Sequence, residues 1–301
     1  MAGDYSVEAS GGVRFVRAGD RRGEPALFLP AAGWTGAEGL AVARAAPHFG
    51  WHLLDLPGTG GSQSLRQADA RGLSRWLAAF CERQGITAPH LAGHSLGGYV
   101  ALAIAAEGQI PLRSLLLIDG GAASIVVREA QGWQALAASA LDAADRVVGG
   151  RILTRRPGPP APPEAPDSAD AIAHRLRVPV SEDLLAAAAD RARPGEPWNL
   201  DSRAVMRLGL LGMRTWGMRS LARVTASRRV LVALFPRGPA WAAARAARTL
   251  AALEAAGVDA VGLPTGHYVF WDDPEAFAEA ARDFYGREPS RLGFASRGSC
   301  S

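Results

Sequence analysis

The residues Leu91-Ala92-Gly93-His94-Ser95-Leu96-Gly97-Gly98 set a serine hydroxyl in the pattern G-x-S-x-G, with an apolar run before it and a small-residue helical run after it. In that context the serine sits on a sharp strand-to-helix turn, which flanking glycines permit because side chains there would collide with neighbouring backbone. The helix that begins at the serine aims its free N–H groups and dipole at the same point, so negative charge is favoured there. The chemistry this suits is nucleophilic attack on an acyl carbonyl. Two further stretches would serve it. LFLPAAGW ends an early apolar run in a turn that can offer the N–H of Ala32, with Ala31 in reserve, to an oxyanion whose second donor is the N–H of Leu96. LPTGHYVFWDDPEAF sets His267 between a strand and a helix whose start is marked by Asp273 as N-cap and Pro274 in the first turn. DLPGTGGS, by contrast, reads as a turn built by Pro57, Gly58, Gly60 and Gly61, in which Asp55 stabilises the turn rather than catalysing.

Such residues need a frame that brings the ends of several strands together. Short apolar runs alternate with helical stretches through residue 121: VRFV, PALFLP, WHLLDLP, the helical ARGLSRWLAAFCERQG, HLAG, a second helix, and LRSLLLID. Strands separated by crossover helices predict a mostly parallel central sheet flanked by helices, an α/β fold. From 122 to 227 the period is helical, in REAQGWQALAASALDAADRVV, SEDLLAAAADRAR and DSRAVMRLGLLGMRTWGMRSLA, with no strand signal between them. The alternation resumes with RRVLVALF, the helix PAWAAARAARTLAALEAAG, the strand DAVGLP and a last helix from PEAFAEAARDFYG. The expected organisation is an α/β core of residues 1–121 and 228–286, a helical cap inserted at 122–227, and a disordered tail at 287–301. Six prolines within residues 157–166 exclude helix there and favour an extended segment, either a surface loop or the hinge of a lid.

With these motifs in this order, the chain resembles the α/β-hydrolase superfamily, in its capped, single-domain branch of serine esterases and related hydrolases, over roughly residues 12–286. The resemblance implies Ser95 as nucleophile and His267 as general base, in the family order nucleophile, acid, histidine. The acid departs from the usual pattern. After the strand VLVALF stand Pro236, Arg237, Gly238 and Pro239, none of which can balance an imidazolium. Relatives that carry the acid one strand earlier point to Asp119 in LLLIDGG, 24 residues beyond Ser95. An aspartate there also serves the turn in relatives that keep the usual acid, so both roles stay open. Serine at residue 95 excludes the carboxylate nucleophile of dehalogenase-like and epoxide-hydrolase-like members. The implied activity is cleavage of a carboxylic ester, thioester or lactone through an acyl-enzyme, without cofactor or metal. Two other readings use the same pocket: a cofactor-free C–C bond hydrolase or lyase, and a ligand-binding protein without turnover.

Composition narrows the partners. The chain has 301 residues with 33 basic and 29 acidic, a net charge of +4, and every basic residue is Arg. No basic stripe forms, so this is a compositional bias rather than a nucleic-acid footprint. Cys81 and Cys300 are too few for a disulfide framework and lack metal-like spacing, which fits a reducing compartment. No basic start followed by an apolar run opens the chain, and no segment reaches about 18 uninterrupted apolar residues, so a cytoplasmic location is expected. His48, His52 and His90 fall at strand starts, His94 flanks the elbow pointing away from the nucleophile, and His174 lies in the cap; packing is expected of all five. Trp34 sits beside the oxyanion turn, while Met206, Met213, Met218, Leu210 and Trp216 share one cap helix. They pack cap against core or line an apolar substrate pocket. The expected partner is a small acyl substrate, with no nucleic acid, membrane or metal, and a homodimer is left open.

Overall fold

The computed structural model describes residues 5–65, 68–122, 140, 144, 168–191, 208 and 217–287. In chain order the elements are β1 (Ser6–Ser10), β2 (Val13–Gly19), β3 (Pro25–Leu29), a 3₁₀ turn (Gly36–Gly39), α1 (Leu40–Ala45), β4 (Gly50–Leu54), α2 (Ala70–Gln84), β5 (His90–His94), α3 (Leu96–Glu107) and β6 (Ser114–Ile118). Then follow α4 (Ala169–Leu176), α5 (Glu182–Arg191), α6 (Gly217–Arg223), β7 (Ser227–Ala233), α7 (Ala240–Ala255), β8 (Asp259–Leu263), α8 (Val269–Asp272) and α9 (Pro274–Gly286).

The eight strands form one sheet in the order β1-β2-β4-β3-β5-β6-β7-β8. The pairs β1–β2 and β2–β4 are antiparallel and every later pair is parallel. Helices cover both faces, which is why β5 and β6 are continuously buried rather than alternating. Alternate residues still serve opposite cores. Ala26 and Phe28 of β3 pack with Leu40, Val42, Phe277 and Phe284 on one face, and Leu27 and Leu29 pack with Leu77, Phe80, Val100 and Leu253 on the other. Helix ends carry the expected chemistry: Asp273 accepts from the Ala276 N–H at 3.0 Å, with Pro274 in the first turn of α9.

Two sequence readings need correction. His52 lies in the middle of β4, because that strand begins at Gly50. The N-terminal hairpin also starts earlier than VRFV: β1 pairs with β2 although its residues SVEAS are half-exposed, so no apolar run announced it. Between β6 and β7, the segment expected as a cap, the described residues are helical in α4, α5 and α6 and include no strand. The proline-rich run at 157–166 and Cys300 lie outside the described residues. Among the described residues, no helix is long and apolar enough to cross a membrane.

Candidate active site

β5 ends at His94 and α3 begins at Leu96, so the whole reversal falls on Ser95, which adopts φ 50° and ψ −115°. A non-glycine residue held there stores strain of about 1–3 kcal/mol and persists only where its surroundings over-determine it. They do so here. The Ser95 N–H donates to the Ile118 carbonyl at 3.0 Å, tying the elbow to the end of β6. A Cβ on Gly97 would lie 2.0 Å from the Leu29 carbonyl oxygen, and one on Gly120 would lie 2.3 Å from the Ser95 oxygen. Glycine at 97 and 120 is what lets three strand ends crowd around the serine.

Asp119 follows β6 directly, at φ 40°. Its N–H donates to Leu231 O at 2.8 Å, and its Oδ1 accepts from the Ala233 N–H at 3.2 Å, so β7 fixes its orientation. Oδ2 lies 2.5 Å from His267 Nδ1. The Asp119 side chain is 8% exposed and that of His267 is 37% exposed. An ionised carboxylate only accepts, so Nδ1 carries the proton and Nε2 is the basic nitrogen. The histidine loop is held by the Gly266 N–H donating to Asp272 Oδ2 at 2.7 Å and by the Phe235 N–H donating to Thr265 O at 2.9 Å. In the turn after β7, the Gly238 N–H closes onto Phe235 O at 2.9 Å. The carboxylate facing His267 therefore comes from the end of β6. All these groups sit at the carboxyl edge of the parallel strands, where open α/β sheets place ligands.

In the turn after β3, the Ala31 N–H donates to Glu38 Oε2 at 2.7 Å, which removes the reserve oxyanion donor. Ala32 is exposed, and among the described residues no acceptor meets its N–H. Leu96 is the first residue of α3, where N–H groups have no intrahelical partner. Trp34 is 4% exposed. Its Nε1–H donates to the Tyr268 hydroxyl at 3.1 Å, Trp271 meets it edge-on at 4.7 Å, and the Arg191 guanidinium stands 4.5 Å over its ring. Trp34 thus joins the turn after β3, the histidine loop and α5. Met206, Leu210, Met213 and Trp216 lie outside the described residues, and Met218 packs against the core on the α3 face.

The sequence reading passed over two buried polar groups. His94, expected merely to pack, is bonded at both ring nitrogens: Nδ1 to Glu38 Oε1 and Nε2 to the His267 carbonyl, each at 2.9 Å. Its ring centroid is 4.8 Å from that of His267. Burial opposes charge on His94, but the Glu38 carboxylate and the His267 carbonyl outweigh it and hold the imidazole above the usual histidine range. The available signal was Glu38 itself, a lone acid inside the apolar stretch WTGAEGLAVA. Asp55 has the structural part expected of it. It accepts from the Gly36 N–H at 2.7 Å, the Gly61 N–H at 2.9 Å and Arg14 Nη1 at 3.0 Å. Burial pushes its carboxyl upward, while Arg14 and the two N–H groups pull it back.

A family model described as "Alpha/beta hydrolase family" matches residues 26–280. Among curated proteins, a 2-succinyl-6-hydroxy-2,4-cyclohexadiene-1-carboxylate synthase from Pectobacterium atrosepticum is 44% identical over 69 residues, which is 23% of this chain and 27% of that one. The protein of the same name from Yersinia pestis (strain Pestoides F) is 37% identical over 87 residues, 29% of this chain and 32% of its own length. The chain therefore spans only about a third or less of the curated relatives it matches. Solved structures align over far more. An E-2-(acetamidomethylene)succinate hydrolase superposes with TM-score 0.63 at 19% identity, covering 94% of this chain and 100% of that one. A thioesterase domain from the curacin biosynthetic pathway gives TM-score 0.63 at 17% identity, covering 93% and 99%. A putative aryl esterase from Burkholderia cenocepacia gives 0.57 at 20%, covering 96% and 100%. At these identities the likeness is one of fold.

Proposed function

The chain belongs to the alpha/beta hydrolase family, and on that premise we propose that it is a serine hydrolase that cleaves a carboxylic ester or a related acyl substrate. The observation that carries this reading is the 2.5 Å contact from His267 Nδ1 to Asp119 Oδ2, made at the sheet edge that also bears the Ser95 elbow. With Nδ1–H held by Asp119, His267 Nε2 takes the Ser95 proton as Oγ attacks the acyl carbonyl. The tetrahedral oxyanion is received by the N–H groups of Leu96 and Ala32. His267 then gives its proton to the departing alcohol or thiol, and in the second half it deprotonates the water that releases the acyl group from Ser95. General-base assistance is worth about 10² to 10⁴ and one oxyanion donor about 10² to 10³, so these groups outweigh any contact made by the segment between β6 and β7. That segment, with α4, α5 and α6, serves in this reading as a cap that selects the substrate.

The test is labelling by an active-site phosphonate together with turnover of a short chromogenic ester. Stoichiometric modification at Ser95, abolished in Ser95→Ala, is the expected result; a chain that neither labels nor turns over ester overturns this reading. The local matches to the cyclohexadiene-carboxylate synthases favour a second reading, C–C bond cleavage or elimination with the same Ser95 and His267. An acyl-enzyme trapped by rapid quench separates the two, since the elimination needs none.

A further inference from the structure

We infer that Glu38 and His94 are a buried positioning pair that sets the oxyanion turn and the histidine loop in fixed relation to the serine elbow. Three hydrogen bonds run in a chain. The Ala31 N–H donates to Glu38 Oε2 at 2.7 Å, Glu38 Oε1 meets His94 Nδ1 at 2.9 Å, and His94 Nε2 meets the His267 carbonyl at 2.9 Å. Each link lies on or beside a residue of the proposed machinery: Ala31 precedes Ala32, His94 precedes Ser95, and the last acceptor is the carbonyl of His267 itself. The importance of the pair to catalysis rests on the serine-hydrolase reading, while its effect on loop geometry does not.

Both side chains are 0% exposed. The His267 carbonyl can only accept, so Nε2 of His94 donates. Nδ1 then either donates to an ionised Glu38 or accepts from a protonated one, and in both states the pair is neutral overall and spans the same gap. A buried pair of this kind adds little to stability compared with apolar residues of similar volume, because desolvation offsets the attraction. What it does supply is direction. The rings around it, His267 at 4.8 Å, Phe270 at 5.0 Å and Tyr268 at 5.3 Å, leave the imidazole one orientation. The oxyanion donor and the general base must both be placed to a fraction of an ångström, and a displacement of about 1 Å can cost on the order of 10²-fold in rate.

The experiment compares wild type with Glu38→Met, with His94→Leu, and with the apolar replacement Glu38→Met/His94→Leu, which keeps the packing and deletes the bonds. Three quantities are read: kcat and KM for a chromogenic ester, the rate of phosphonate labelling at Ser95, and the downfield proton resonance of the Asp119–His267 hydrogen bond. Near-UV circular dichroism selects the folded variants. The expected result is that folded variants lose about 10- to 100-fold in kcat and in labelling rate, with KM changed less than about 3-fold. The Glu38→Met/His94→Leu double variant should be no slower than the worse single, because one chain is broken once. Wild-type kcat in the folded apolar replacement would show that the pair only fills space and overturn the inference. Should wild type itself resist the phosphonate, the hydrolase reading fails, yet the resonance still decides: a shifted or lost proton in the variants supports positioning, and an unchanged one refutes it.

Discussion

Asp119 uses its two oxygens for two different neighbours, Oδ1 for the Ala233 N–H at 3.2 Å and Oδ2 for His267 Nδ1 at 2.5 Å. Asparagine is the informative substitution because it keeps the shape and changes only what the second position offers. With its amide oxygen held by Ala233, its NH₂ faces His267, and the imidazole must turn to the tautomer that accepts at Nδ1 and carries its proton on Nε2. The base is then lost. We expect Asp119→Asn to lower kcat by about 10⁴, the cost of the same change in a serine-protease triad, with near-UV circular dichroism unchanged; wild-type steady-state kinetics in this variant would refute the assignment. At this scale the sequence was informative where a local rule applied. Glycines around Ser95, the strand end before Asp119 and the strand-to-helix gap around His267 each leave a short-range mark. Glu38 and His94 left none as a pair: they are 56 positions apart, and their bond is made only by tertiary packing.

Helix α5 shows what an element adds. Its period was legible in SEDLLAAAADRAR, but its docking was not, since Arg14 and Asp190 stand 176 positions apart and no local pattern pairs them. In the fold, Asp190 Oδ1 lies 2.5 Å from Arg14 Nη2, Oδ2 accepts from the Thr35 hydroxyl, and both charged side chains are under a tenth exposed. Burial alone would make Arg14 easier to deprotonate, and Asp190 with Asp55 reverses that. The other end of α5 is held differently, by Arg44 at 3.0 Å from Glu182 and 3.1 Å from Asp183, with Arg44 and Glu182 both more than half exposed. The two ends therefore separate by solvation. Asp190→Ala should cost about 1–3 kcal/mol, because it takes a carboxylate partner from a buried guanidinium. Glu182→Ala should cost no more than about 1 kcal/mol. Urea unfolding of the two variants checks the order; equal losses would show that α5 is not anchored through its C-terminal turn.

Over the whole molecule, alternating strands and helices were legible because buried parallel strands demand continuous apolar runs, whereas the hairpin edge at β1 needs only backbone pairing and left no such run. The same burial that makes the sheet legible also traps a titratable group in it. His52 stands 3% exposed in the middle of β4, between the rings of Phe15 at 5.5 Å and Phe80 at 5.9 Å, with Arg17 directly opposite on β2. Its Nδ1–H donates to Gly50 O at 3.2 Å, and among the described residues Nε2 has no partner. Burial, then the Arg17 charge, pulls its pKa down from 6.5 to about 4. Because the folded value lies below the unfolded one, the unfolded chain binds the extra proton between them. The stability contribution is whole above about pH 6.5 and is lost as pH falls toward 4, in all about 3 kcal/mol. His94 works in the opposite sense: held above its usual range, it adds stability that is whole below about pH 6.5 and is lost as pH rises through its folded value. On the acid side His52 is therefore the group to remove. His52→Phe keeps an aromatic ring between Phe15 and Phe80, and it should flatten the fall in unfolding free energy between pH 6.5 and 4.5 by close to one proton's worth of slope. Denaturant titrations at half-unit pH intervals measure that slope directly, and identical slopes in variant and wild type would place the acid sensitivity of the fold elsewhere than in β4.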